Sequence, residues 1–155
     1  MGPGKNVFVS HIHEDDAGLG DLKGILNSNG LTIRDYSINS SNPNSAEDEQ
    51  YIKYQILAPR IAACSVMVVY ITPETRHSAY VQWEIEYARK CGLRIVGVWA
   101  HGDKGCEVPP ALAAVGDAVV GWHGTSIVSA INGTNAFERP DGTPWARRDI
   151  ARAEC

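Results

Sequence analysis

At 155 residues and 16.8 kDa, the chain has the length of one domain and can bury a core without disulfide or metal staples. Apolar residues make up 44% and charged residues 21%, a balance that excludes a disordered chain. Fourteen Lys and Arg stand against 18 Asp and Glu, a formal charge of −4 with no basic cluster, and the longest apolar run is Val66 to Ile71; neither a nucleic-acid nor a membrane partner is expected.

The start, Met1 to Asn6, has no apolar signal core, and Cys64, Cys91, Cys106 and Cys155 form no C-x-x-C pair and no zinc spacing. Reduced thiols in a cytoplasmic protein are the expectation. Val7-Phe8-Val9 reads as a first buried strand. A helix follows from Asp15 to Asn29, with Leu19, Leu22, Ile25 and Leu26 at helical spacing and Gly30 as its stop. Leu31 to Ile33 is a second strand, and Ser37 to Ser45 a polar loop. Ser45 with Asp48 signals a capped helix that carries Tyr54, Leu57, Ala58 and Ile61, with Pro59 expected to kink or break it.

Val66 to Ile71 is the clearest strand, apolar on both faces as parallel strands covered by helices are. A helix from Ala79 to Cys91 stops at Gly92. Arg94 to Trp99 is a strand, a loop follows, and Asp117 to Gly121 reads as a fifth strand before a last helix, Thr125 to Ile131. This alternation predicts an α/β fold with a parallel sheet and right-handed crossovers. The expected division is a domain over residues 1–132 and a tail over 133–155 that packs on it. That tail contains Arg139, Arg147, Arg148 and Arg152, together with acids.

Ligands of open parallel sheets bind beyond the carboxyl ends of the strands. Here that rule selects Ser10 to Asp16, Tyr36 to Ser45, Thr72 to Ser78 and Trp99 to Gly105. On the helix after the third strand, Val81, Ile85 and Ala88 form the inward stripe, and the position that completes it is Glu84, flanked by Tyr80 and Trp83. Glu86 falls on the opposite, solvent side. An inward carboxylate costs desolvation unless something pairs or uses it. The plainer alternative is that Glu84 only complements the helix dipole. His11, His13 and Asp15 match the opening of a dinuclear-metal hydrolase motif, but Asp16 stands where a further His belongs, so no metal is expected and Asp15 or Asp16 reads as a helix cap. Thr72-Pro73-Glu74 after the third strand excludes a phosphoacceptor aspartate, and no dinucleotide-fold, Walker or nucleophile-elbow motif occurs.

The opening Val7-Phe8-Val9-Ser10-His11, and Ser78 to Ala88 followed by Gly92 and Ile95-Val96-Gly97-Val98, together resemble a TIR-type domain. Glu84 falls on the glutamate of that family's Ser-x-Trp-x-x-x-Glu element, and Tyr80 stands where many members carry Trp. Ile56 to Ile61, Trp83 to Ala88 and the tail from Asp141 to Ile150 are similar to the TIR-like ThsB branch of the Thoeris anti-phage systems. The resemblance implies a flavodoxin-like, three-layer fold with a central parallel five-stranded sheet. It also implies an enzyme that cleaves NAD at the nicotinamide–ribose bond, with NAD as substrate and no cofactor. The expected product is an ADP-ribose-derived messenger, a cyclic ADP-ribose isomer or an amino-acid conjugate, that activates a separate effector protein. A phage-derived trigger and a homo-oligomer are the remaining partner expectations. Glu84 is then catalytic, and Ser10, His11, His13, Tyr36, Asn39, Tyr80 and Trp83 are substrate-binding candidates. Two other readings stay open: a non-catalytic TIR-like adaptor, and a glycosidic-bond enzyme of the nucleoside deoxyribosyltransferase type.

Overall fold

The computed structural model describes residues 6–11, 16–33, 58–72, 75, 78–99 and 108–138. Within them the elements are β1 (Asn6–Ser10), α1 (Asp16–Ser28), β2 (Thr32–Ile33), α2 (Ala58–Ala62), β3 (Val66–Ile71), α3 (Ala79–Lys90), β4 (Arg94–Trp99), α4 (Pro110–Val115), β5 (Ala118–Val120) and α5 (Gly124–Ile131). The five strands form one parallel sheet in the order β2-β1-β3-β4-β5, the flavodoxin-like arrangement.

Residue alternation along each strand divides the core into two layers. Phe8, Met67, Val69, Ile71, Ile95, Trp99 and Val119 face one side, where Ile61 of α2, Val81, Ile85 and Ala88 of α3 and Leu112 of α4 cover them. Val7, Val9, Val66, Val68, Tyr70, Val96, Val98, Ala118 and Val120 face the other, under Leu22 and Leu26 of α1 and Ile127, Ala130 and Ile131 of α5. The result is three layers, with β3 buried at all six positions. The chain reverses its direction of winding between β1 and β3, so the carboxyl ends of those two strands flank a natural ligand crevice.

Helix ends follow local chemistry. Gly30 and Gly92, both at positive φ, close α1 and α3. In each case the amide of the glycine bonds the third carbonyl back and the next amide, Leu31 or Leu93, bonds the fifth, which satisfies the last-turn carbonyls.

One expectation needs correction. The stretch between β4 and β5 reads as a loop in the sequence, yet Pro110 to Val115 forms a helix. Pro110 occupies its first turn, where a missing N–H costs nothing, and Ala111, Leu112, Ala113 and Ala114 propagate it. The segment is short and has no polar face, so it shows no amphipathic period. The polar loop 37–45, the Ser45 cap, Tyr54 and Leu57 lie outside the described residues. Pro59 is the second residue of the described α2.

Residues 136–138 run beside β5. The Val119 amide donates to the Ala136 carbonyl at 2.9 Å, and the Glu138 amide donates to the Val119 carbonyl at 2.7 Å. Trp99 Nε1 donates to the Glu138 carbonyl, and the Gly121 amide to Glu138 Oε1. Residues 139–155 lie outside the described part.

Candidate functional site

The site is built on the amino-terminal half of α3. After β3, Thr75 is fully buried and ties the turn together: its Oγ1 accepts from the Thr72 amide at 2.8 Å and donates to the Tyr70 carbonyl at 3.2 Å. The Ser78 amide then bonds the Thr75 carbonyl, and Ser78 caps α3, its Oγ accepting from the Val81 amide. Gln82 Oε1 accepts from the Ala111 amide at 2.9 Å, which joins α3 to the start of α4. The helix is therefore held to the sheet at its entry and to its neighbour one turn later.

Glu84 sits in this anchored segment with the inward stripe Val81, Ile85 and Ala88. Only 2% of its surface is exposed. An uncompensated carboxylate there would be costly. Ser10, fully buried at the carboxyl end of β1, donates its hydroxyl to Glu84 Oε1 at 2.6 Å. That separation is at the short end of the O–H···O hydrogen-bond range. The contact joins residues 74 apart in sequence. It exists because Ser10 shares the strand face of Phe8, the face that α3 covers.

His11, next along the chain, is also buried. Trp83 is half-buried, packs against the α2–α4 layer of the core and stacks on Tyr87 one turn on, with centroids 5.2 Å apart and planes 14° from parallel. Glu86 is exposed on the far side of the helix.

The structure thus brings Ser10 and Glu84 together, and buried His11 directly follows Ser10 at the end of β1. Tyr80 lies in the first turn of α3, and its side chain is outside the described part. His13, Tyr36 and Asn39 also lie outside the described residues, as does Asp15 of the metal-ligand spacing. Among the described residues no cluster of three or more His, Cys, Asp or Glu is placed to hold a metal ion, and no helix is long and apolar enough to cross a membrane. The sequence reading missed the Thr75 peg, the Gln82 tie and the Ser10–Glu84 bond. It also missed the Ser78 cap, and of the four only that cap, a Ser directly before a helical period, left a local signal.

Comparison with known proteins agrees with this architecture. The family described as "Thoeris protein ThsB, TIR-like domain" matches over residues 8–105. Among solved structures, the Clostridium botulinum CMP N-glycosidase BcmB is similar with a TM-score of 0.51 and 15% identity, over 83% of this chain and 99% of that one. The TIR domains of the activated Roq1 resistosome, which directly recognizes the pathogen effector XopQ, align with a TM-score of 0.43 and 20% identity, over 71% of this chain and 62% of that one. The BcmB likeness concerns the fold alone. No curated protein matches the sequence significantly.

Proposed function

The chain belongs to the TIR-like domain family of the Thoeris protein ThsB, and from that premise we propose that it is an enzyme of N-glycosidic bonds that cleaves NAD between nicotinamide and ribose. The observation that supports this reading is Glu84, a buried carboxylate on an anchored helix at the switch point of the sheet. Breaking a bond at an anomeric carbon builds positive charge on C1′, and a carboxylate aimed there stabilises that charge or attacks the carbon. Nicotinamide is cationic in NAD and departs neutral, so its departure needs no general acid. One carboxylate is therefore sufficient for the cleavage. Exclusion of water favours transfer to an acceptor within ADP-ribose over hydrolysis, and this reading assigns that role to Trp83, the half-buried neighbour of Glu84 in the chain. The product in this reading is an ADP-ribose-derived messenger, a cyclic isomer, made in response to phage and sensed by an effector protein.

The test is mass spectrometry of nucleotides from phage-infected cells that express the wild-type chain or Glu84→Gln. NAD loss and a new ADP-ribose-derived species in the wild type, both absent from a variant with wild-type circular dichroism, support the proposal. Turnover retained by the folded variant overturns it. A purified panel of NAD and CMP separates a messenger synthase from a nucleoside N-glycosidase.

A further inference from the structure

Resting on the glycosidic-bond reading of Glu84, we propose that Ser10 is a positioning residue for that carboxylate and not a substrate ligand. Sequence position alone makes Ser10 a candidate for ribose or diphosphate binding. The structure assigns its hydroxyl elsewhere. A serine hydroxyl has one proton to donate, and Ser10 gives it to Glu84 Oε1. While that bond stands, Ser10 cannot also donate to a ribose hydroxyl or a phosphate oxygen.

The two partners are anchored separately. Ser10 closes β1 and is paired in register with Val69 of β3, so its backbone is fixed by the sheet. Glu84 is carried by α3, which the Ser78 cap and the Gln82 tie hold in place. Backbone anchoring does not by itself fix the end of a glutamate side chain, whose last torsion is broad and roughly two-fold. The Ser10 bond to one carboxyl oxygen restricts that freedom and thereby contributes to where the other oxygen lies. Useful catalytic geometry must be held within about 0.5 Å, and a displacement of about 1 Å can cost on the order of 10²-fold in rate.

Three roles for Ser10 give three kinetic signatures. A substrate ligand lost raises KM. A structural bond lost lowers the unfolding temperature and leaves kcat of the folded protein unchanged. A positioning bond lost lowers kcat with KM nearly constant. The experiment measures nicotinamide release from NAD by Ser10→Ala, Ser10→Cys, Glu84→Gln and the Ser10→Ala/Glu84→Gln double variant, in the preparation where the wild type is active. Ser10→Ala is expected to lose about 10- to 100-fold in kcat, with KM within about twofold. Ser10→Cys, of similar shape but a weaker donor, falls between it and the wild type. The double variant is no worse than Glu84→Gln alone.

An unchanged kcat in folded Ser10→Ala, or a rise confined to KM, overturns the proposal while the reading of Glu84 stands. Turnover retained by Glu84→Gln removes both. The bond itself is read without substrate from an unfolding cycle of Ser10→Ala, Glu84→Ala and the pair: non-additivity supports it, and strict additivity overturns it whatever the substrate.

Discussion

Gly97 sits in the middle of β4, on the sheet face that α4 covers, and Gly97→Ala tests why that helix lies where it does. A Cβ there would stand 2.8 Å from Leu112 Cδ2, 3.0 Å from Ile71 Cδ1 and 3.3 Å from Val119 Cγ2. Carbon atoms pack favourably at about 3.5–4.0 Å. All three neighbours are methyl groups, so each can yield a little, but all belong to buried core residues with close neighbours of their own. Overpacking of this kind costs about 1–3 kcal/mol. Replacing glycine stiffens the unfolded chain and returns about 0.4–1 kcal/mol. A net loss of about 1–2 kcal/mol is expected. For a chain of this size each kcal/mol moves the midpoint by about 2–4 °C. Thermal and urea unfolding read the loss, with the urea slope unchanged. Leu112→Val should relieve part of it, because it trims the side chain that comes nearest. A Gly97→Ala protein as stable as the wild type, or a loss that Leu112→Val does not change, would refute the argument.

Two further outcomes concern the helices. Gly24 is exposed inside α1 with open space where a Cβ would stand, so Gly24→Ala should stabilise the protein by about 0.5–1 kcal/mol, seen as a higher unfolding midpoint. Glu86→Gln should leave NAD turnover within about twofold of wild type, because that side chain points to solvent two residues from Glu84. A loss equal to that of Glu84→Gln would mean the functional carboxylate had been misassigned.

Much of the fold can be read from local pattern. Val66 to Ile71 and Arg94 to Trp99 are strands in the sequence and in the structure with the same bounds. The unbroken apolar character of Val66 to Ile71 already states that both faces of that strand are covered. Helix α3 is equally plain, since Val81, Ile85 and Ala88 mark its inward side and Glu84 interrupts an otherwise apolar stripe. Helix α4 escapes because its residues are nearly all small and apolar, and a period needs contrast. The site is less accessible. That Glu84 faces inward follows from spacing within one helix. That Ser10 meets it follows only from the pairing of β1 with β3, which brings distant parts of the chain together. Ser10 therefore reads as a substrate ligand from its place after a strand, and as a partner of the carboxylate once the sheet is assembled.

The contact of residues 136–138 with β5 has a consequence for how copies of this chain can meet. An outermost strand with unsatisfied amides and carbonyls invites another strand to dock. At Val119 both backbone groups are already engaged by the chain's own carboxyl-terminal stretch, and the Gly121 amide is spent on the Glu138 carboxylate. A neighbouring molecule that sought to prolong the sheet on this flank would first have to peel that stretch away, breaking the Trp99 indole bond as it did so. Direct strand addition onto β5 at Val119 is thus blocked by the chain's own residues 136–138.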